Sequence, residues 1–279
     1  MELESRIEGF KKRGLAVAAL SYDSIEVLRD FAARKHITFP LLSDPDSRII
    51  RRFGIMNAFD YPEGHMAHGV PFPGTFVANA EGVIVDRDFE AEYQERRTAA
   101  SLLISMGEDG DASIKEIVKD QFVLKTSLSN DEVAPGRRVT IVLDFLMAPK
   151  MHAYAPGVKG YRPLNFRLSA NPLVTAHEVR FPEPQPYTFA PLNETVPVFA
   201  SHFRVLQDVT ALGPGRPPAS ATAPVNQVTQ IDLSGVLDYQ VCSDTVCYAP
   251  SSIPLNWTLK VIPLDRERAP EALRKKPLP

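Results

Sequence analysis

Apolar positions recur along this chain in two different patterns, and the change falls near residue 110. In the first part the period is helical. Leu3, Ile7 and Phe10 share one face, and Gly14 ends the run, so residues 2–13 are expected to form an amphipathic helix. The continuous apolar run at 15–20 reads as a strand buried on both faces. Ile25, Leu28, Phe31 and Ala32 mark a helix over 24–35, with Ser21 or Asp23 as its cap. Residues 39–44 read as a second short strand. Asp44 or Asp46 then opens a helix that runs to Phe53 and closes at Gly54. Residues 74–89 read as a hairpin turning at Ala80, Glu81 and Gly82, and residues 93–105 as a last helix. The order helix–strand–helix–strand–helix–hairpin–helix predicts an α/β domain with a mixed sheet. Its first helix has no preceding strand from which to cross back.

Residues 106–116, polar and rich in Gly, Asp and Ser, read as a linker. Beyond them the pattern changes to short β-type runs. Runs of β-forming residues at 139–147, 165–170, 202–210, 225–242 and 255–262 are broken by Pro, Gly and Asn. Strands at this spacing, without a helical segment, predict a β-sandwich. The expected organisation is therefore a first domain at 1–105, the linker, a second domain at 117–264 and a charged, fraying tail at 265–279.

Composition narrows the function. Of 279 residues, 44% are hydrophobic and the net charge is −3, which suits packed domains and argues against a nucleic-acid partner. No run approaches the ~20 apolar residues of a membrane span, and the charged start does not resemble a signal peptide. His65 and His68 have a spacing that could serve a metal on a helix, but in a Gly/Pro-rich loop they read as solvated side chains. No cofactor is expected.

The candidate chemistry rests on the only two cysteines, Cys242 and Cys247. A metal would need about four ligands, and no histidine lies near the pair in sequence. Read as a hairpin, residues 243–246 form a turn that sets the two cysteines on facing strands, about 4.5–5.5 Å apart at Cα, within disulfide reach. Such a disulfide is either a staple or a reagent. As a staple it would contribute only ~2 kcal/mol, because the ring is short. Cross-strand disulfides on short turns are also the exchangeable kind. Tyr239 and Tyr248 flank the pair and are candidates to shield it. Asp238 and Asp244, if close, would disfavour a thiolate.

Two resemblances extend this reading. Residues 9–55 (GFKKRGLAVAALSYDSIEVLRDFAARKHITFPLLSDPDSRIIRRFGI) and 71–89 (PFPGTFVANAEGVIVDRDF) resemble the peroxiredoxin / alkyl hydroperoxide reductase–TSA branch of the thioredoxin superfamily. The resemblance implies a thioredoxin-like fold with a cis-proline before the third core strand, for which Pro73 is the match. It also implies a reactive cysteine at the start of the first long helix, where the helix dipole lowers the thiol pKa. Here residues 2–13 correspond to the second half of that helix, and the domain holds no cysteine. No peroxidase activity is expected of the chain as given. The favoured explanation is a start at an internal Met, with a decayed binding domain as the alternative.

Residues 225–261, containing YQVCSDTVCYAP, resemble the N-terminal immunoglobulin-like periplasmic domain of the thiol:disulfide interchange protein DsbD, and the resemblance extends over about 120–262. It implies a reversible Cys242–Cys247 disulfide that relays electrons. It also implies a shielding cap, matched to the segment Leu192 to Glu194, and an extracytoplasmic location. The implied partners are redox proteins, either thioredoxin-like or a membrane electron donor. Of the two cysteines, Cys247 is the expected attacker. The alternative is a non-catalytic binding module with a structural disulfide.

Overall fold

The computed structural model describes residues 2–57, 70–89, 96–108, 113–189, 193–211, 229–265 and 267–273. They fall into two compact units, residues 1–99 with 264–279, and residues 100–263.

The first unit is built from short, locally capped elements. The expected opening helix is two pieces, Glu2–Ser5 and Ile7–Lys12, with Phe10 buried. The strands Ala19–Ser21 and Leu41–Ser43 pair in parallel, joined by the helix Ile25–Lys35. Ser24 caps that helix, its hydroxyl accepting from the Val27 N–H at 3.4 Å. Asp23 instead accepts from the Ser21 hydroxyl at 2.6 Å, so neither expected residue is the cap. At Arg48–Arg52 the Asp44 carboxylate accepts from the N–H groups of Arg48, Ile49 and Ile50 at 3.0, 2.9 and 2.9 Å. A buried carboxylate thus satisfies three donors that a helix leaves orphaned at its first turn.

The hairpin forms as expected from Gly74–Ala78 and Ile84–Phe89, with Gly82 at φ 77° in its turn. Phe76 meets Phe53 and Phe89 edge-on at 4.7 and 5.0 Å. Pro73 immediately precedes this hairpin. No peptide bond among the described residues is cis, so Pro73 departs from the expected cis form. Trans is what an X–Pro bond adopts unless its surroundings impose the alternative. The last expected helix is shorter, Ala99–Ser105, and beyond Ala99 it belongs to the second unit. Nor does the whole tail fray. Lys35 pairs with Asp265 at 2.7 Å, and Arg34 with Glu267 at 2.9 Å. His65 and His68 lie outside the described residues.

Among the described residues the second unit contains three sheets. One sheet runs Val174–Arg180, His202–Ala211, Arg137–Met147, Phe122–Leu128, Lys115–Val118, with antiparallel pairing between neighbours. A second runs Asn165–Leu168, Gln230–Tyr239, Ser251–Val261, Glu132–Val133. Alternation along Gln230–Tyr239 turns Ile231, Leu233, Leu237 and Tyr239 inward, and along Ser251–Val261 it does the same for Ile253, Leu255, Trp257 and Leu259. These meet Phe122, Leu124, Ile141, Leu143 and Phe145 in one continuous core. The buried Trp257 indole donates to the Thr126 hydroxyl at 3.0 Å, so its polar edge is satisfied inside the core.

The third sheet runs Gln185–Phe189, Glu194–Ala200, His152–Tyr154, Val241–Cys242. The expected strand at 225–242 is therefore interrupted. It leaves the second sheet after Tyr239 and enters the third at Val241, through Gln240. The Gln240 side chain holds this crossing, accepting from the Arg162 N–H at 3.1 Å and donating to the Tyr248 carbonyl at 3.2 Å. The switch takes Cys242 out of the main core and sets it beside the strand His152–Tyr154.

Candidate functional site: a half-buried cystine in an aromatic pocket

Cys242 and Cys247 are joined by a disulfide with a Cα–Cα separation of 4.0 Å, closer than the expected range. They face each other in an isolated antiparallel bridge. The Ser243 N–H donates to the Val246 carbonyl at 2.7 Å, and the Tyr248 N–H to the Val241 carbonyl at 3.0 Å. Inside the turn the Ser243 hydroxyl accepts from the N–H groups of Thr245 and Val246 at 3.2 and 3.0 Å. A serine side chain thus closes the turn, a common role for that residue.

The two sulfurs have unlike surroundings. Cys242 is 1% exposed, whereas Cys247 is an exposed residue. Around Cys242 pack Tyr154, Val196 and Val198, with Val158, Tyr161 and Tyr187 at the margin. The Tyr154 hydroxyl lies 3.3 Å from the Cys242 sulfur, to which it donates, and 3.7 Å from that of Cys247. The Tyr161 ring stacks on Tyr154 at 4.2 Å. Burial, with the neighbouring Tyr161, Glu194 and Tyr187, pushes the Tyr154 phenol up to about 12. It therefore keeps its proton at neutral pH and remains a donor toward the sulfurs.

Two carboxylates frame the pocket. The Tyr161 hydroxyl donates to Glu194 at 2.7 Å, which raises the phenol's pKa. The Tyr187 hydroxyl donates to Asp244, in the turn itself, at 3.0 Å; burial and this bond raise the Tyr187 pKa. His152 lies directly opposite Cys242 on the neighbouring strand and is 3% exposed. Burial holds its pKa below the ordinary value, against the pull of Asp244.

Several expected residues stand elsewhere. Tyr239 packs edge-on against Phe122 at 5.1 Å in the main core, away from the cystine cluster. The inward-facing parity of its strand put it there. Tyr248 is 37% exposed and serves the turn through its backbone. Asp238 takes a hydrogen bond from Ser252 at 2.6 Å and an ion pair from Arg167 at 2.7 Å, on the second sheet. Leu192 lies outside the described residues. Glu194, matched to the same cap, reaches the site through Tyr161. Conversely, His152, Tyr154, Tyr161 and Tyr187 were not picked out from sequence. The density of polar aromatics over 151–161, MHAYAPGVKGY, was the available signal.

The strand switch, the unequal sulfurs and the aromatic cover place the cystine in a specific setting. Residues 119–254 match the family "Thiol:disulfide interchange protein DsbD, N-terminal". Residues 1–87 match the AhpC/TSA family. The chain is thus a thioredoxin-like α/β region followed by a DsbD N-terminal-like, immunoglobulin-like sandwich. No curated protein matches it. Among solved structures, the N-terminal periplasmic domain of ScsB from Proteus mirabilis is 16% identical with a TM-score of 0.36, covering 53% of this chain. This chain spans 51% of that one. The reduced DsbD N-terminal domain of Neisseria meningitidis is 16% identical with a TM-score of 0.31, over 50% of this chain and 90% of that one. The DsbD N-terminal domain in its complex with the PilB N-terminal domain from Neisseria meningitidis is 14% identical with a TM-score of 0.32, over 53% and 90%. No helix among the described residues is long and apolar enough to cross a membrane.

Proposed function

We propose that the DsbD-like unit is a thiol–disulfide relay working through Cys242 and Cys247 in an extracytoplasmic compartment. The observation that carries this is the inequality of the two sulfurs. A staple needs both ends only to be held. A relay needs one sulfur open to a partner and the other protected until the mixed disulfide forms. Cys247, exposed, is the sulfur that exchanges with a partner. Cys242, buried beneath the Tyr154 hydroxyl, is the sulfur that resolves.

In the reducing direction the Cys247 thiolate attacks a client disulfide and the Cys242 sulfur then displaces the client thiolate. Recharging runs in reverse, from a dithiol donor. The match of residues 119–254 to the DsbD family supports redox proteins as partners. The match of residues 1–87 to the AhpC/TSA family points to a peroxiredoxin-like thiol as one client. The first unit has no cysteine of its own, so that thiol must come from outside residues 1–241 of this chain.

The decisive measurement is the reduction potential of the pair. A relay should lie within roughly −120 to −270 mV; a value well below about −300 mV would make the disulfide a staple and the unit a binding module. Trapping is the companion test. The Cys242→Ser variant should accumulate a mixed disulfide through Cys247 with a thioredoxin-like client, and Cys247→Ser should not.

A further inference from the structure

His152 presents a buried nitrogen for which the oxidised protein has no use. Its Nε2 is shielded from solvent and has no hydrogen-bond partner among the described residues. Leaving such a group unpaired is costly, which makes it worth asking what other state of the site would satisfy it. The ring is well held. Tyr187 packs against it at a tilt, with ring centroids 4.1 Å apart, and Tyr154 meets it edge-on at 5.5 Å. The strand His152–Tyr154 lies antiparallel to Val241–Cys242, with His152 paired to Cys242. Residues paired this way project to the same face of the sheet, with Cβ atoms about 4.5–5.5 Å apart. Once the Cys242 sulfur is released from Cys247, rotation about its own Cα–Cβ bond can bring it toward the imidazole.

We propose that His152 is the proton acceptor for the Cys242 thiol when the reduced pair closes its disulfide. The proposal rests on the relay reading above. In the mixed disulfide, the Cys247 sulfur is bonded to the client's sulfur, and Cys242 carries an S–H. The Cys242 proton passes to Nε2, and the Cys242 sulfur attacks the Cys247 sulfur. The bond from Cys247 to the client breaks, and its electron pair leaves on the client's sulfur as a thiolate. The pair is oxidised by two electrons and the client disulfide is reduced by two. The imidazolium then returns its proton to solvent.

The surroundings suit this role. The groups facing the ring are Tyr154 on its own strand, Tyr187 on the strand Gln185–Phe189 and Asp244 in the cysteine turn. Tyr161 and Glu194 stand behind Tyr154. Burial keeps the imidazole neutral, the form that can accept a proton, while the Asp244 carboxylate favours the imidazolium formed during the step. A neutral imidazole on the strand paired with Cys242 can serve as the internal base for its thiol.

The test uses the full chain, reduced and mixed with oxidised glutathione, with both steps followed by quenched flow. In His152→Gln, closure of the Cys242–Cys247 disulfide should slow about 100-fold at pH 7. It should recover as the pH rises toward the ordinary thiol range of about 8.5. Formation of the Cys247–glutathione adduct should keep its wild-type rate. His152→Phe, which retains a packed ring, should behave likewise. Unchanged closure, or equal slowing of both steps, overturns the proposal. A second measurement needs no variant. The His152 Nε2 nitrogen-15 shift should move when a phosphine reduces the wild-type protein, and an unmoved shift overturns the contact. If wild-type protein forms no glutathione adduct, the relay reading fails, while the shift still reports whether Cys242 engages His152.

Discussion

The two units make opposite use of apolar residues. The second builds a main core in which Phe122 tilts against Phe145 at 5.5 Å and Phe145, Phe203 and Phe199 stack in succession at 4.7 and 5.0 Å. Among its described residues the first forms two separate two-stranded pairs, held by caps and short contacts, and leaves Val83, Ile84, Val85 and Phe89 exposed at its hairpin. The contrast extends to chemistry. The unit matching the AhpC/TSA family has no cysteine, and the sandwich, matching the DsbD N-terminal family, has both. A family match therefore locates a fold, and the reactive group must be located separately.

Substitutions that load one unit and spare the other test whether the two differ in stability as well as in make-up. The largest effect is expected from Phe145→Ala. It removes a ring from the centre of the aromatic stack and should cost about 3–5 kcal/mol. Hydrogen exchange should then rise across the strands Phe122–Leu128 and His202–Ala211 and stay unchanged in Ile25–Lys35. If exchange rises equally in that helix, the two units are not independent in stability.

Next comes Gly235→Ala. The added Cβ would stand 2.8 Å from the Phe166 ring and 2.9 Å from the Arg167 carbonyl oxygen. The backbone atom cannot rotate aside, so a loss of about 1–3 kcal/mol is expected in a denaturant titration. In the first unit, Asp44→Ala strips three N–H groups of their acceptor and should cost about 0.5–2 kcal/mol. Its effect should appear as faster exchange confined to the amides of residues 48–52.

The smallest effect concerns the tail. Lys35 lowers the pKa of Asp265, and Lys35 with Arg34 lowers that of Glu267. Groups whose folded pKa is depressed stabilise above their unfolded pKa, near 4, and lose that contribution as pH falls through the folded value. Both carboxylates are solvent-exposed, so the contribution is small and screened by salt. Limited proteolysis should cut around residues 264–268 faster at pH 3 than at pH 6, and the difference should shrink in 1 M salt.

Where the sequence was readable, the reason was local. Ile231, Leu233 and Leu237 alternate because one face of their strand is buried, and that alternation is visible in the residue order. The hairpin turn at Gly82 and the Asp44 cap follow from backbone rules that span a few residues. Misplaced residues failed for a common reason. Tyr239 is three residues from Cys242 in sequence but belongs to the main core, because the chain changes sheets at Gln240. Tyr154 is 88 residues from Cys242 in sequence and touches its sulfur.

By itself the sequence determined that the chain has two regions of different secondary structure, that Cys242 and Cys247 face each other across a short turn, and that the first 241 residues contain no thiol. These follow from periodicity, turn chemistry and composition, all short-range properties of the order of residues. Only the tertiary structure decided which sulfur is covered, which aromatic rings cover it, and that His152 stands opposite Cys242 with an unpaired nitrogen. Those depend on the pairing of strands far apart in sequence and on the sheet switch at Gln240, and no local pattern encodes the register of such a pairing.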